Sequence, residues 1–269
     1  MVRDLRARVL ARTITSVSAP FTGSIIWPAA SEFQRRVTGR TITGLSRRGK
    51  YALLHLDSHD LLVIHRGMSG SLLLREPEDP MESHVRVWIA LNDAHLRFND
   101  PRKFGKIWVM RADGEDHPLP WRLMGPEPFD ETFSPDALTA SLGRRRAPVK
   151  SLLLNQHIVA GLGNIYVDEA LHVARIHPER RGNTLTPDEI TRLYAAIQRV
   201  LSQAIEGRGT TFNSYTDIEG REGRHQNALQ VFHRTGQPCS SCGTTIIKMV
   251  VGGRGTHICP GCQPVSPCP

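Results

Sequence analysis

Residues 239–262 read Cys239-Ser-Ser-Cys242-Gly-Thr-Thr-Ile-Ile-Lys-Met-Val-Val-Gly-Gly-Arg-Gly-Thr-His-Ile-Cys259-Pro-Gly-Cys262. Two C-x-x-C pairs stand sixteen residues apart, a spacing found in Cys₄ zinc sites. Each pair can bring two thiolates to one tetrahedral centre, and Gly243 and Gly261 permit the tight turn that each knuckle needs. Between the pairs, Thr245, Ile247, Met249 and Val251 alternate with Thr244, Ile246, Lys248 and Val250, and Gly252-Gly253 marks a hairpin turn. Arg254 follows at the tip. The pattern predicts a zinc ribbon in which Cys239, Cys242, Cys259 and Cys262 hold one Zn²⁺ and Arg254 meets an anionic partner. Two disulfides, or a clip with no function beyond structure, would use the same four cysteines.

The rest of the chain narrows the class. Its 269 residues suffice for two domains with a sizeable core. With 39 % hydrophobic and 22 % charged residues, the composition is that of a soluble globular protein. No apolar run reaches the ~18 residues of a membrane span, so no membrane partner is expected. A formal charge of +8, from 34 Lys+Arg against 26 Asp+Glu, favours a polyanionic partner, with nucleic acid the default. A basic protein without such a partner stays open on charge alone. Four of the five cysteines belong to the ribbon, which suits a reducing cytoplasm. Cys268 has no partner spacing and no assigned role. Arg3, Arg6, Arg8 and Arg12 with Leu5, Val9 and Leu10 could pass for a transit peptide. Asp4 argues instead for an amphipathic helix over Val2 to Leu10.

Short strands dominate residues 12–110: Thr13–Ser18, Thr41–Arg47, Tyr51–Asp57, Leu61–His65, Ser71–Leu74, Val85–Leu91, His95–Phe98 and Lys106–Met110. Turn residues such as Asn92-Asp93 separate them, and one helix near Ala29–Val37 interrupts them. This is the pattern of a β-sandwich. The Pro-rich stretch 113–120 marks a boundary. Helices follow. Ser134 caps one with Pro135 at its first position, and another begins at Pro148–Leu154. Thr186-Pro187-Asp188-Glu189 is a capping box. It opens a helix with Ile190, Leu193, Tyr194, Ile197, Val200, Leu201, Ala204 and Ile205 on one face, ended by Gly207 and Gly209. Residues 213–227 are polar and glycine-punctuated, a mobile loop. The fold class is α+β, in three parts: a β-sandwich over 1–116, a helical domain over 117–228 and the ribbon over 229–269.

Two further stretches carry chemistry. Gly161 and Gly163 make a tight turn directly before a helix starting near Asn164, where free amides can bind phosphate. A plain linker between helices would read the same. In Phe98-Asn99-Asp100-Pro101-Arg102-Lys103-Phe104-Gly105, a cation and an aromatic ring share one turn, which suits insertion into a base stack. A solvated turn with Phe104 folded back into the core is the alternative.

Together these motifs resemble the formamidopyrimidine-DNA glycosylase family of base-excision repair enzymes, which includes the endonuclease VIII branch. The resemblance runs from about Val2 to Gln263. It rests on R-R-G-K-Y (47–51), H-R-G-M-S-G-S-L (65–72), F-N-D-P-R-K-F-G (98–105), G-P-E-P (125–128), N-Q-H-I-V-A-G-L-G-N-I-Y-V-D-E-A-L (155–171) and the cysteine ribbon. H-R-G-M-S-G, the 155–171 signature and the glycine-bearing loop place it nearer the formamidopyrimidine branch.

The resemblance implies a β-sandwich joined to a helix–two-turn–helix domain with a zinc ribbon, binding damaged double-stranded DNA as a monomer in the cytoplasm, at the nucleoid. It implies removal of oxidised purines (formamidopyrimidines and 8-oxoguanine), with AP-lyase activity. Met68, Arg102 and Phe104 would fill the gap left by a flipped nucleotide, and Lys50, Asn164 and Arg254 would hold flanking phosphates. The family's catalytic groups lie in an N-terminal P-E-L-P-E-V-E segment: the proline amine attacks the sugar and the glutamate moves protons. A terminal amine with a pKa near ~8 is partly unprotonated at neutral pH. This sequence opens M-V-R-D-L-R-A-R-V-L, which matches the family's first helix, so no residue in it inherits either role. Two readings of that departure stand side by side. Either the segment is encoded ahead of the Met1 codon, or the chain binds damaged DNA without catalysing its repair.

Overall fold

The alternating patterns of the first hundred residues produce strands whose apolar sides must be covered, and two sheets cover each other. The structure, a computed structural model, describes residues 1–117, 120–212 and 216–265. Cys268 and residues 213–215 of the polar loop lie outside the described residues. The chain divides into two compact units, one of Met1–Arg122 with Arg208–Arg224, the other of Leu123–Gly207 with the chain from His225 onward. This differs from the three-part sequence division. The segment 208–224 joins the sandwich, and the ribbon shares a unit with the helices. Among the described residues no helix is long and apolar enough to cross a membrane.

In the first unit the chain runs α1 (Val2–Val9), β1 (Ile14–Ser18), β2 (Ile25–Trp27), α2 (Ala30–Val37), β3 (Ile42–Arg48), β4 (Tyr51–Leu56), β5 (Asp60–His65), β6 (Ser71–Arg75), β7 (Val85–Leu91), β8 (His95–Asn99) and β9 (Lys106–Arg111). One sheet has the order β1-β7-β8-β6 and the other β2-β9-β5-β4-β3. All pairings are antiparallel except β2 with β9. The eight expected strands are present, each within two residues of its sequence bounds. The unforeseen β2 is a three-residue edge strand held by a parallel, non-local partner.

Ile14, Leu72, Val87 and Phe98 of one sheet meet Ile42, Leu54, Leu62 and Ile107 of the other in a single core. Leu5 and Val9 of α1, and Phe33 and Val37 of α2, join it from the amphipathic faces of their helices. Ile218 also enters this core, and the Leu74 amide donates to the Ile218 carbonyl at 2.8 Å. That anchor draws 208–224 into the first unit.

The second unit holds α3 (Pro135–Leu142), α4 (Val149–Leu154), α5 (Asn164–Ala174), α6 (Pro187–Glu206) and a hairpin of β10 (Ile247–Val251) and β11 (Arg254–Ile258). The expected caps form. Ser134 Oγ accepts from the Ala137 amide at 3.1 Å, and Thr186 and Glu189 exchange both capping-box bonds. Ile190, Leu193, Ala196 and Ile197 of α6 share one core with residues of α3, α4 and α5. Ile205, read as part of that face, is 57 % exposed, whereas Ala204 beside it is buried.

Candidate nucleic-acid interface

Two loops of the first unit present the candidate wedge. Met68, between β5 and β6, is 60 % exposed, and Phe104, between β8 and β9, is 51 % exposed. The reading that buried Phe104 in the core is therefore corrected. The Arg102 guanidinium carbon sits 4.8 Å from the Phe104 ring centroid, a cation–π stack at the loop surface. Beneath the stack lies Asp100, fully buried. Its carboxylate accepts from the Ser69 hydroxyl, from the Gly105 amide at 2.7 Å and from the Arg102 amide at 3.3 Å. One buried acid thus pins both loops. Glycines make the close approach possible. A Cβ on Gly67 would lie 2.8 Å from Phe104 and Gly105 backbone atoms, and one on Gly105 would lie 2.2 Å from the Phe98 ring. Sequence reading passes over Asp100 and Ser69, because the bond between them spans 31 positions.

Lys50 lies in the two-residue turn joining β3 to β4. Gly49 precedes it with φ +54°, a left-handed backbone that favours glycine. Lys50 is exposed, and Tyr51 of β4 pairs in register with His65 of β5. Burial lowers the His65 pKa, and the Lys50 charge lowers it further.

In the second unit, Gly161 (φ +86°) turns the chain, Gly163 caps α5 and Asn164 opens it. The Asn164 side-chain amide donates to the Gly255 carbonyl at 2.9 Å, so it reaches the ribbon hairpin. Arg254 is exposed at the tip, where Gly252 (φ +57°) and Gly253 (φ +73°) form the turn and Val251 pairs with Arg254. The structure thus joins Asn164 to the Arg254 hairpin in one unit. Lys50, Met68, Arg102 and Phe104 belong to the other.

A buried lysine secures that hairpin. Lys150 of α4 is fully buried and donates to Asp168 at 2.6 Å, to the Thr256 hydroxyl at 2.7 Å and to the Gly255 carbonyl at 3.0 Å. The other Asp168 oxygen accepts from the His257 amide at 2.9 Å. Burial lowers the Lys150 pKa, Asp168 opposes that, and Arg254 adds to the lowering. Glu169, next along α5, accepts from the Gln230, Val231 and Phe232 amides at 2.7–2.9 Å. Burial raises its pKa against the pull of those amides. The one sequence signal for Lys150 is a lysine inside the otherwise apolar run V-K-S-L-L-L, which by itself reads as a helix start.

The four cysteine sulfurs of Cys239, Cys242, Cys259 and Cys262 lie within 4.8 Å of one another. The separations are 3.9 Å for Cys239–Cys262, 3.4 Å for Cys242–Cys259 and 3.5 Å for Cys242–Cys262. A disulfide needs about 2.05 Å. A tetrahedron with Zn–S near 2.3 Å has edges of about 3.8 Å. The donor set therefore fits Zn²⁺, and the disulfide alternative is excluded. Hydrogen bonds from the Thr244 hydroxyl and amide bring the Cys242 thiol down to about 6, whereas burial raises Cys259 and Cys262.

Known proteins share this arrangement. Family models for the formamidopyrimidine-DNA glycosylase N-terminal domain, its H2TH domain and the zinc finger found in FPG and IleRS match residues 1–107, 124–215 and 236–265. A formamidopyrimidine-DNA glycosylase of Symbiobacterium thermophilum is 46 % identical over 98 % of this chain and 86 % of its own length. One of Pelotomaculum thermopropionicum is 44 % identical over 98 % and 96 %. The complex of Lactococcus lactis Fpg with an abasic-site-containing DNA superposes with a TM-score of 0.92 at 37 % identity, covering 98 % of this chain and 97 % of that one. Fold and site thus define the class, a DNA glycosylase with a helix–two-turn–helix domain and a Cys₄ zinc finger. Within that class, the chain belongs to the formamidopyrimidine-DNA glycosylase family.

Proposed function

We propose that this protein finds oxidised purines, formamidopyrimidines and 8-oxoguanine, in double-stranded DNA, and that the complete enzyme excises them and cleaves the abasic site. The observation that carries the reading is the exposed Arg102–Phe104 stack, held over buried Asp100 beside exposed Met68. A lone surface aromatic costs solvation, and a damage-reading protein has a use for it. Extruding a nucleotide costs a few kcal/mol. A ring and a guanidinium entering the vacated stack replace the missing stacking, at about 1–3 kcal/mol per stacked base. Lys50, Asn164 and Arg254 supply donors for flanking phosphates, which fix register and carry no sequence information. A structure of wild-type Lactococcus lactis Fpg holds an N7-benzyl-Fapy-dG containing DNA, which supports the substrate class. The place of action on this reading is the nucleoid.

The reading is tested by a strand-cleavage assay with borohydride trapping on duplexes that carry 8-oxoguanine, a formamidopyrimidine or no lesion. The full-length protein should cleave and be trapped on the damaged duplexes, with acid–base help alone contributing ~10²–10⁴ in rate, and should leave the undamaged one intact. Binding of the damaged duplexes with neither cleavage nor trapping would replace the catalytic reading with the binding-only one. Arg254→Ala should weaken lesion and undamaged duplex alike and lower the salt slope by about one unit. An unchanged slope would remove Arg254 from the phosphate contacts.

A further inference from the structure

The stretch Gly143-Arg144-Arg145-Arg146-Ala147-Pro148 has no part in the wedge, the Asn164 turn or the ribbon. It leads into α4, and all three arginines are exposed. A run of arginines is usually a solvated loop, whose ordering on binding costs entropy. Here the backbone is already fixed. Residues 145–150 lie along 178–183 through a ladder of bonds. Asn183 N–H donates to Arg145 C=O at 2.9 Å, Gly182 N–H to Ala147 C=O at 3.1 Å, and Val149 N–H to Arg180 C=O at 2.7 Å. Pro148 and Arg181 form an isolated β-bridge. Gly182 lets the segments close up, since a Cβ there would lie 2.8 Å from the Leu142 carbonyl oxygen.

Arg181, also exposed, adds a fourth guanidinium from the second rail. Arg180 beside it pairs with Glu189 at 3.1 Å, but Arg144, Arg145, Arg146 and Arg181 form no ion pair among the described residues. Among the described residues, Arg145 alone of the four is tethered, through a bond from its Nε to the Ser141 carbonyl at 2.9 Å. The result is a strip of four exposed like charges on a fixed backbone, with no acid paired to any of them among the described residues. Such a strip fits an extended polyanion better than a small anion, which would need an enclosing pocket. Arginine also matches phosphate bidentately. The strip stands at the start of α4, and the Asn164 turn follows its end. That helix has six residues, about 9 Å of rise.

We propose that the Arg144–Arg146 and Arg181 strip is a second contact to the DNA backbone, engaging phosphates away from the damaged nucleotide and raising affinity for long duplexes. The proposal rests on the DNA-repair reading above. The test is an Arg144→Gln, Arg146→Gln, Arg181→Gln triple variant, titrated with two duplexes that carry a central abasic-site analogue. One is about one helical turn long, about 10 base pairs, and the other about three turns. Each phosphate that the protein no longer neutralises lowers the salt slope by about 0.9. On the long duplex, the slope of the triple variant should be about two to three units shallower and its binding tenfold or more weaker at moderate salt. On the short duplex it should keep wild-type affinity. An unchanged long-duplex slope overturns the proposal. An equal weakening on both duplexes also overturns it, by placing the strip at the lesion. If the wild type shows no preference for the abasic duplex over undamaged DNA, the repair reading itself fails, whatever the variant does. The melting temperature and zinc content of the variant check that the substitutions leave the fold intact.

Discussion

Asp100 and Phe104 stand four residues apart and do opposite work. Phe104 is half-exposed, so Phe104→Ala should change stability by less than about 0.5 kcal/mol. It should abolish much of the flipping signal of a fluorescent base analogue. Asp100→Ala should do both kinds of damage. It orphans the Gly105 amide and the Ser69 hydroxyl, at about 1–3 kcal/mol for each buried group left unpaired. Urea denaturation beside the flipping assay separates the two variants, and an Asp100→Ala protein of wild-type stability would remove the carboxylate as the organiser of the loops. The pairing of Arg102 with Phe104 is legible because both sit on one turn. The Asp100 anchor is not, because its partner lies on another strand connection. His65 offers a second residue-scale check. Its folded pKa is lowered by burial and by Lys50, so Lys50→Gln should shift its NMR titration upward towards the free-histidine value. An unmoved titration would place the Lys50 ammonium away from that ring.

Elements whose signals are local are legible. The Thr186–Glu189 box, the Ser134 cap and the Gly252-Gly253 turn each specify a boundary within four residues, and each forms. Strand β2 is not legible, because three residues beside a parallel partner leave no alternating pattern to read. The ribbon hairpin is visible as a pattern, but its attachment is not. Lys150, Asp168, Thr256 and His257 meet only after α4, α5 and β11 are assembled. Lys150→Met leaves Asp168 buried without its cation and should cost about 3–5 kcal/mol. It should also weaken DNA binding through a loosened Arg254, with zinc retained. Chelating the zinc should instead unfold the hairpin, since metal binding energy is folding energy in such modules. Far-ultraviolet spectra and calorimetry of the chelated protein test this, and an unaltered melting profile after stoichiometric zinc loss would contradict it.

At the scale of the whole chain, composition points to a polyanion and the motif order to the family. The division into units is less legible, because 208–224 joins the first unit through contacts distant in sequence: Ile218 in the sandwich core, the Leu74 amide on the Ile218 carbonyl and the Arg8–Glu219 pair. Charge placement inside the units sets the response to acid, in two windows. Burial lowers the pKa of His172, His177 and His225 in the second unit, and of His65 and His95 in the first. A histidine with a lowered folded pKa binds fewer protons when folded, so stability is full above the unfolded value of about 6.5 and falls as pH drops below it. The decline stops once pH passes below each folded value. For the three histidines of the second unit, each about 95 % buried, it is at most about 1.4 kcal/mol per group for each pH unit. The carboxyls of Glu82, Asp116 and Asp217 behave with the opposite dependence on charge and a lower window. Burial raises each, but hydrogen bonds outweigh it and leave the folded pKa below the ordinary value. Their stabilisation is therefore present above the unfolded carboxylate value, near ~4, and is lost as pH falls through the folded one. Urea midpoints should fall as pH drops below about 6.5, where the unfolded histidines take up protons, and fall further below about pH 4 as the carboxylates do. Zinc release followed in parallel separates this from acid stripping of the cysteines. A midpoint that stays constant across the upper window with zinc bound would mean that the buried histidines accept protons in the folded chain as readily as in the unfolded one.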